Sequence, residues 1–243
     1  MNLAKCTALL ACIFCLGLLQ AADQDERGFL NRVFKDSAGN EAKYVLFVPH
    51  DYKGDKDYPC IIFLHGSGET GTDGLKQAAV GLGPAVKKVE KTFPFIAVFP
   101  QSQKRTWKAD TDDANRALAI LDEVKKQYKV DAKRIYLTGL SMGGYGTWSL
   151  AAKYPERWAA IAPVCGGGDP TTAPKFKDVP CWCFHGDADG AVKVDQSRAF
   201  IKALKDAGGN PKYDEYPGVG HNSWDKAYGT NELYEWLLRQ KLK

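Results

Sequence analysis

Apolar and polar positions fall into two rhythms along the chain. Residues 31–52, NRVFKDSAGNEAKYVLFVPHDY, hold two strand-like runs separated by Ser37, Ala38, Gly39 and Asn40, which predicts two strands around a turn. Short apolar runs then recur as CIIFLHG, FPFIAVFP, RIYLTGLS, WAAIAPVCGG, CWCFHG and PKYDEYPG, each read as a strand. Between them lie helical patterns: the partly helical LKQAAVGLGPAVKKVEK, then TDDANRALAILDEVKKQYKV, GGYGTWSLAAKYP, DQSRAFIKALKDAGG and NELYEWLLRQKLK. In the second of these, Ala117, Ile120, Leu121, Val124 and Tyr128 share one helical face, and Thr111, Asp112 and Asp113 are expected to cap its start. Strands that alternate with helices need crossover connections. The pattern therefore predicts an α/β fold with a mostly parallel central sheet covered by helices on both faces. In such sheets the ligand site lies at the carboxyl ends of the strands. No linker, low-complexity segment or repeat array divides the chain.

Composition changes this picture little, except at the N-terminus. The 243 residues are 44% hydrophobic and 26% charged, the balance of an ordinary soluble domain. The net charge of +4 is spread along the chain. There is no basic stripe interleaved with aromatics, which argues against a nucleic-acid partner. Residues 1–5 make a short positive start, residues 6–19 an apolar run, and Ala21 and Ala22 a small-residue cleavage site. That is the layout of a secretory signal over residues 1–22. It leaves a single catalytic domain at 23–243, secreted or periplasmic, with no stable membrane insertion after the signal is removed. The apolar run is short for a bilayer span, and Cys12 sits too early in it for a lipoprotein. Three of the seven cysteines would leave with the signal. Cys60, Cys181 and Cys183 lie in apolar strand-like runs, so buried thiols are preferred to disulfides there, although an exported chain could oxidise them and Cys165. No cysteine or histidine spacing fits a zinc site.

The chemistry concentrates where strand RIYLTGLS meets helix GGYGTWSLAAKYP. Gly139-Leu140-Ser141-Met142-Gly143 is a G-x-S-x-G pentapeptide placed between a strand and a helix. There a serine sits on a tight turn with its hydroxyl held above the sheet edge, and the glycines prevent Cβ collisions with the neighbouring strand and helix. Serine is a poor nucleophile without a base. In this arrangement the chain order is serine, acid, histidine. Of His50, His65, His185 and His221, only the last two follow Ser141. His185 ends a strand whose loop must supply the acid, which leaves His221 as the base. The loop HGDADGAV offers Asp187 and Asp189. Asp189 is better placed to turn back toward His221, and Asp187 suits a turn cap. The oxyanion donors are expected from the backbone N–H groups of Met142, after the nucleophile, and Ser67, in the glycine-rich loop FLHGSGETG. That loop also spells G-x-G-x-x-G, Gly66 to Gly71. A dinucleotide site, however, wants an acidic residue about 20 positions on, at the end of the next strand, and that strand ends in FPQSQ. Trp107 and Trp224 could stack on a sugar or an aromatic acid, or could simply pack.

On LHGSGETG, GLSMGGYGTW, HGDAD and GHNSW, in that order, the chain resembles the serine esterases of the α/β-hydrolase fold. It stands near the phospholipase/carboxylesterase group and the bacterial feruloyl and acetyl-xylan esterases. Many intracellular members of that group read Gly-Phe-Ser-Gln-Gly-Gly at the serine, where this chain has Leu140 and Met142. The resemblance implies a triad of Ser141, Asp189 and His221 acting on carboxylic esters through an acyl-enzyme, with no metal or cofactor. Residues 167–179 are too short for a lid. An open site on an exported protein suits small or polysaccharide-linked feruloyl or acetyl esters. The alternatives are a serine peptidase of the same fold and a non-catalytic binding protein on a hydrolase scaffold.

Overall fold

The computed structural model describes residues 27–243. The signal expected at residues 1–22 lies outside the described residues. Eight strands form one sheet: β1 (Gly28–Lys35), β2 (Glu41–Val48), β3 (Tyr58–Leu64), β4 (Ile96–Pro100), β5 (Val130–Leu140), β6 (Ala160–Val164), β7 (Trp182–Gly186) and β8 (Lys212–Tyr216), in spatial order β1-β2-β4-β3-β5-β6-β7-β8. The first two are an antiparallel hairpin, and β2 runs antiparallel to β4. From β4 to β8 every pairing is parallel. The hairpin turns where expected. Asp36 Oδ1 accepts from the amides of Ala38 (2.9 Å) and Asn40 (2.8 Å), and Gly39 takes the left-handed conformation the turn needs.

Among the described residues, six helices cover the sheet: α1 (Leu82–Lys88), α2 (Asp112–Gln127), α3 (Met142–Lys153), α4 (Asp195–Asp206), α5 (Trp224–Gly229) and α6 (Asn231–Arg239). They divide three and three. Cys60, Ile62 and Leu64 of β3 point to a core built with α2, α3 and α4, while Ile61 and Phe63 point to a second core with α1, α5 and α6. This is the period-two alternation of a strand buried on both faces. In the first core Trp148 of α3 stacks on Phe200 of α4 at 4.3 Å and 3°. Each such fully buried aromatic contributes roughly 2–3 kcal/mol by removal from water.

Several expectations shift. Helix α2 ends at Gln127, one residue before Tyr128, because Tyr128 and Val130 leave it as extended chain and β5 begins at Val130, ahead of RIYLTGLS. Thr111 holds the N-cap position, but its hydroxyl donates to Lys108 O (2.6 Å) and makes no cap bond. Asp113, in the first turn, instead organises the preceding loop. Residues 167–179, read as too short for a lid, carry a 3₁₀ run, Pro170–Phe176, started by Asp169, which accepts from the Thr171 amide, and anchored by the buried Ala173 and Phe176. The four described cysteines are buried and unpaired. No helix among the described residues is long and apolar enough to cross a membrane.

Candidate active site

The parallel register brings five strand ends to one edge. Leu64 lies beside Gly139, Leu140 beside Val164, Val164 beside Phe184, and Gly186 beside Tyr216. The residues just beyond these ends are the ones with chemistry. Ser141 sits between β5 and α3 at φ 53°, ψ −116°, a left-handed backbone that costs a serine energy and so needs fixed surroundings. The surroundings are glycine. A Cβ on Gly143 would lie 1.8 Å from Leu64 O, and one on Gly139 would lie 2.4 Å from Gly143 O. Strand and helix therefore meet backbone to backbone, with the Ser141 amide donating to Val164 O at 3.0 Å.

The serine, acid and histidine chosen by chain order come together. His221 Nε2 lies 2.9 Å from Ser141 Oγ, and His221 Nδ1 lies 2.7 Å from Asp189 Oδ2. A carboxylate only accepts, so Nδ1 carries the hydrogen and Nε2 is free to accept from the serine hydroxyl. Asp189 is buried, which opposes ionisation. Bonds from His221 and from the amides of Val192 (2.9 Å) and Ala191 (2.8 Å) outweigh that and hold its carboxyl below the ordinary value. Asp187 accepts from the Gly218 amide at 2.7 Å, stitching the acid loop to the histidine loop. Ser141 and His221 are half-buried, so the pair faces solvent.

Met142 is the first residue of α3 and Ser67 the first of a 3₁₀ turn, Ser67–Glu69. An amide at a helix start has no acceptor within the helix and is free for a ligand. The two loops are apposed: a Cβ built on Gly66 would sit 3.7 Å from Ser141 Cβ. The literal G-x-G-x-x-G of this loop is thus folded into a turn against the serine.

Trp107 and Trp224 part company. Trp224 is half-buried with its ring edge-on to His221, centroids 5.3 Å apart. Trp107 is only 1% exposed, and its indole N–H donates to His65 O at 3.0 Å. A ring so enclosed is no stacking platform, which corrects the stacking role left open for it.

Sequence reasoning missed the residues that hold the loops. His65 Nε2 accepts from the Ser102 amide (2.9 Å), so Nδ1 carries the hydrogen that reaches Gly66 O (2.6 Å). Ser102 Oγ in turn donates to Asp113 Oδ2 at 2.6 Å. Burial drives the His65 pKa down to about 4, against a smaller opposing effect of the Gly66 bond. The signal was visible as the likeness of YPCIIFLHG and VPCWCFHGD, where His65 and His185 occupy equivalent places at the ends of β3 and β7.

For a metal, Cys165, Asp189 and His221 bring a thiol, a carboxylate and a ring nitrogen within 4.8 Å of one another. Asp189 and His221 already satisfy each other, and burial pushes the Cys165 thiol up to about 12, so the thiolate a metal needs is strongly disfavoured. A cavity of about 590 Å³ opens alongside, bordered by Met142, Tyr145 and Gly146 of α3, with Arg105, Lys108 and Lys175 among its lining.

Compared with known protein families, residues 40–229, well over half of the chain, match the dienelactone hydrolase family. The chain belongs to that family. The chain is 34% identical over 116 residues to a bifunctional acetylxylan esterase/xylanase of Neocallimastix patriciarum, a match that covers 46% of this chain and 17% of that protein. It is 25% identical over 192 residues to a probable feruloyl esterase C of Aspergillus flavus, covering 76% and 68%. Among solved structures, a thermostable esterase matches with a TM-score of 0.79 at 36% identity over 88% of this chain and 63% of the other. A putative dipeptidyl aminopeptidase IV of Bacteroides ovatus matches at 0.71 and 16% identity over 88% and 36%, a likeness of fold alone. This family member spans only 17–57% of the length of the first four curated relatives. The mostly parallel α/β sheet read from the strand–helix rhythm is the sheet found, and the α/β-hydrolase fold that the resemblance implied agrees with it.

Proposed function

We propose that the protein is a serine hydrolase of carboxylic esters, working through an acyl-enzyme on small or polysaccharide-linked acyl groups such as acetyl or feruloyl. The observation that carries this is the unbroken line Ser141 Oγ, His221 Nε2, His221 Nδ1, Asp189 Oδ2, with steps of 2.9 and 2.7 Å through one imidazole. Ser141 attacks the ester carbonyl as His221 takes its proton. Asp189 stays ionised, fixes the tautomer and stabilises the imidazolium. The amides of Met142 and Ser67 receive the oxyanion. His221 then gives its proton to the departing alcohol, and water reverses the sequence to free the acid.

The half-buried serine and the cavity beside Met142 favour an ester displayed on something large over a lipid chain that needs a closed tunnel. Relatives named for acetylxylan and feruloyl ester cleavage support the same substrate class, and the sequence layout of residues 1–22 supports export. Initial rates on p-nitrophenyl acetate, methyl ferulate and a peptide p-nitroanilide test the proposal, with Ser141→Ala as blank. Cleavage of either ester, lost by about 10⁴-fold or more in the variant, is expected. Cleavage of the anilide alone would make the protein a peptidase, and failure of a fluorophosphonate to label Ser141 would make it a binding protein.

A further inference from the structure

A second imidazole stands behind the candidate triad. We propose that His185 is a positioning residue for ester hydrolysis, sharing its Nε2 hydrogen with Asp189 so that the carboxylate keeps one orientation and a limited hold on the His221 proton. The proposal rests on the triad reading above.

His185 lies in β7 and is fully buried. Its Nε2 is 3.1 Å from Asp189 Oδ2 and 2.9 Å from Val192 O. Both are acceptors, so Nε2 carries the hydrogen. The Val192 amide donates back to Asp189 Oδ1, so ring, carbonyl and carboxylate close a small circuit. On the other side, Nδ1 is 2.7 Å from Ser197 Oγ of α4, also fully buried. That hydroxyl donates to the ring and so completes an imidazole with both nitrogens committed. Ser197 Oγ also reaches Gly166 O at 3.4 Å.

A histidine that merely satisfied itself in the core would not need this oxygen. Oδ2 is the atom that also receives His221 Nδ1–H, at 2.7 Å. Two donors on one oxygen divide its charge. Remove His185 and Oδ2 acts on His221 alone as a stronger acceptor, which raises the basicity of the imidazole. The carboxylate, still held at Oδ1 by the Ala191 and Val192 amides, loses its second anchor at Oδ2, and the aim of His221 at Ser141 loosens. Other titratable groups also face this network. Cys183 of β7 meets the Ser197 hydroxyl but is buried with its thiol pushed up to about 12, Cys165 follows β6, Tyr145 of α3 feels the Asp189 charge, and Glu215 of β8 feels His185 but is held by Arg198 at 2.6 and 2.9 Å. His185 is fully buried and lines no part of the cavity, so it does not touch substrate.

The test compares wild type, His185→Leu, His185→Gln and Ser197→Ala on p-nitrophenyl acetate from about pH 5 to about pH 10. His185→Leu should lower kcat about tenfold with KM within about twofold, the loss expected for a hydrogen bond to a charged group, and should move the acid limb of kcat/KM upward. His185→Gln, whose amide nitrogen reaches the Nε2 position, should recover most of both. Should the leucine variant not fold, Ser197→Ala carries the test: loosening the ring should shift the acid limb in the same direction, whereas a purely structural serine would lower Tm and leave the limb in place. Acid limbs that coincide with wild type, or a glutamine no better than leucine, would overturn the positioning role. A wild-type protein inactive on every ester would overturn the triad reading instead.

Discussion

His65 makes acid the perturbation that should loosen the Ser67 loop first. Its ring accepts from the Ser102 amide and donates to Gly66 O, an arrangement open only to the neutral form, and burial lowers its pKa from 6.5 to about 4. The folded state therefore binds fewer protons than the unfolded chain between these values. Stability is fully present above 6.5, erodes as pH falls, and is lost in full below about 4. Integrated over that window, His65 costs at most about 3 kcal/mol, and about 2 kcal/mol by roughly pH 5. Urea unfolding at about pH 8 and about pH 5 would measure it, with His65→Gln as the non-titrating reference. The variant will be weaker at the higher pH because it loses bonds. Its further loss on acidification should nevertheless be smaller than wild type's by about 2 kcal/mol, since carboxylates such as Asp189 and the remaining histidines act equally in both. Equal acid losses in the two proteins would refute the reasoning. So would an acid-induced loss of stability in wild type confined to below about pH 4, where carboxylates titrate.

Other consequences are more local. Gly143→Ala should give little soluble protein, because its Cβ would lie 1.8 Å from the backbone Leu64 O, while Gly68→Ala, with nothing within 4 Å, should change Tm by no more than a degree or two; expression yield and thermal melts check both. Trp148→Ala should cost about 3–5 kcal/mol in urea unfolding, since the ring is buried and stacked on Phe200. Asp187→Ala should cost about 1 kcal/mol through the lost Gly218 bond and show as a reduced kcat on p-nitrophenyl acetate, because that bond ties the acid loop to the His221 loop. Trp224→Ala should raise KM for methyl ferulate several-fold more than for p-nitrophenyl acetate in steady-state assays, given its place against His221.

The sheet and the site order were legible because each rests on a local demand. A strand buried on both faces must be apolar throughout, as CIIFL is, and a serine at φ 53° needs the glycines written around it. What stayed hidden depends on partners distant in sequence. Nothing in TDDAN says that Thr111 will donate to Lys108 O or that Asp113 will accept from Ser102 and Lys104, because these partners all lie in the loop after β4. The burial of Trp107 was equally invisible, since the space it fills is the missing side chain of Gly146, 39 positions later, where a Cβ would meet Trp107 Cβ at 2.3 Å. Helix α5 went unread because its six residues are too few to show a helical repeat.

Three of the four histidines stand at the carboxyl edge of the sheet, and they have a common logic. His65 ties the Ser67 loop to the loop after β4, His185 ties the Asp189 loop to α4, and His221 links Asp189 to Ser141. Each uses one ring nitrogen as donor and the other as acceptor. An amide side chain can also do both, but its two ends sit on one carbon and swivel together. The imidazole is rigid and spans two partners on opposite sides, so it suits a place where one loop must be held at a fixed distance from another. The remaining histidine, His50, pairs with Glu90 at 2.9 Å on an exposed surface away from this edge. Repeating a two-ended linker is thus how this chain holds three separate loops still around Ser141, and it follows that acid strong enough to protonate the buried His65 should loosen the site through one of these supports.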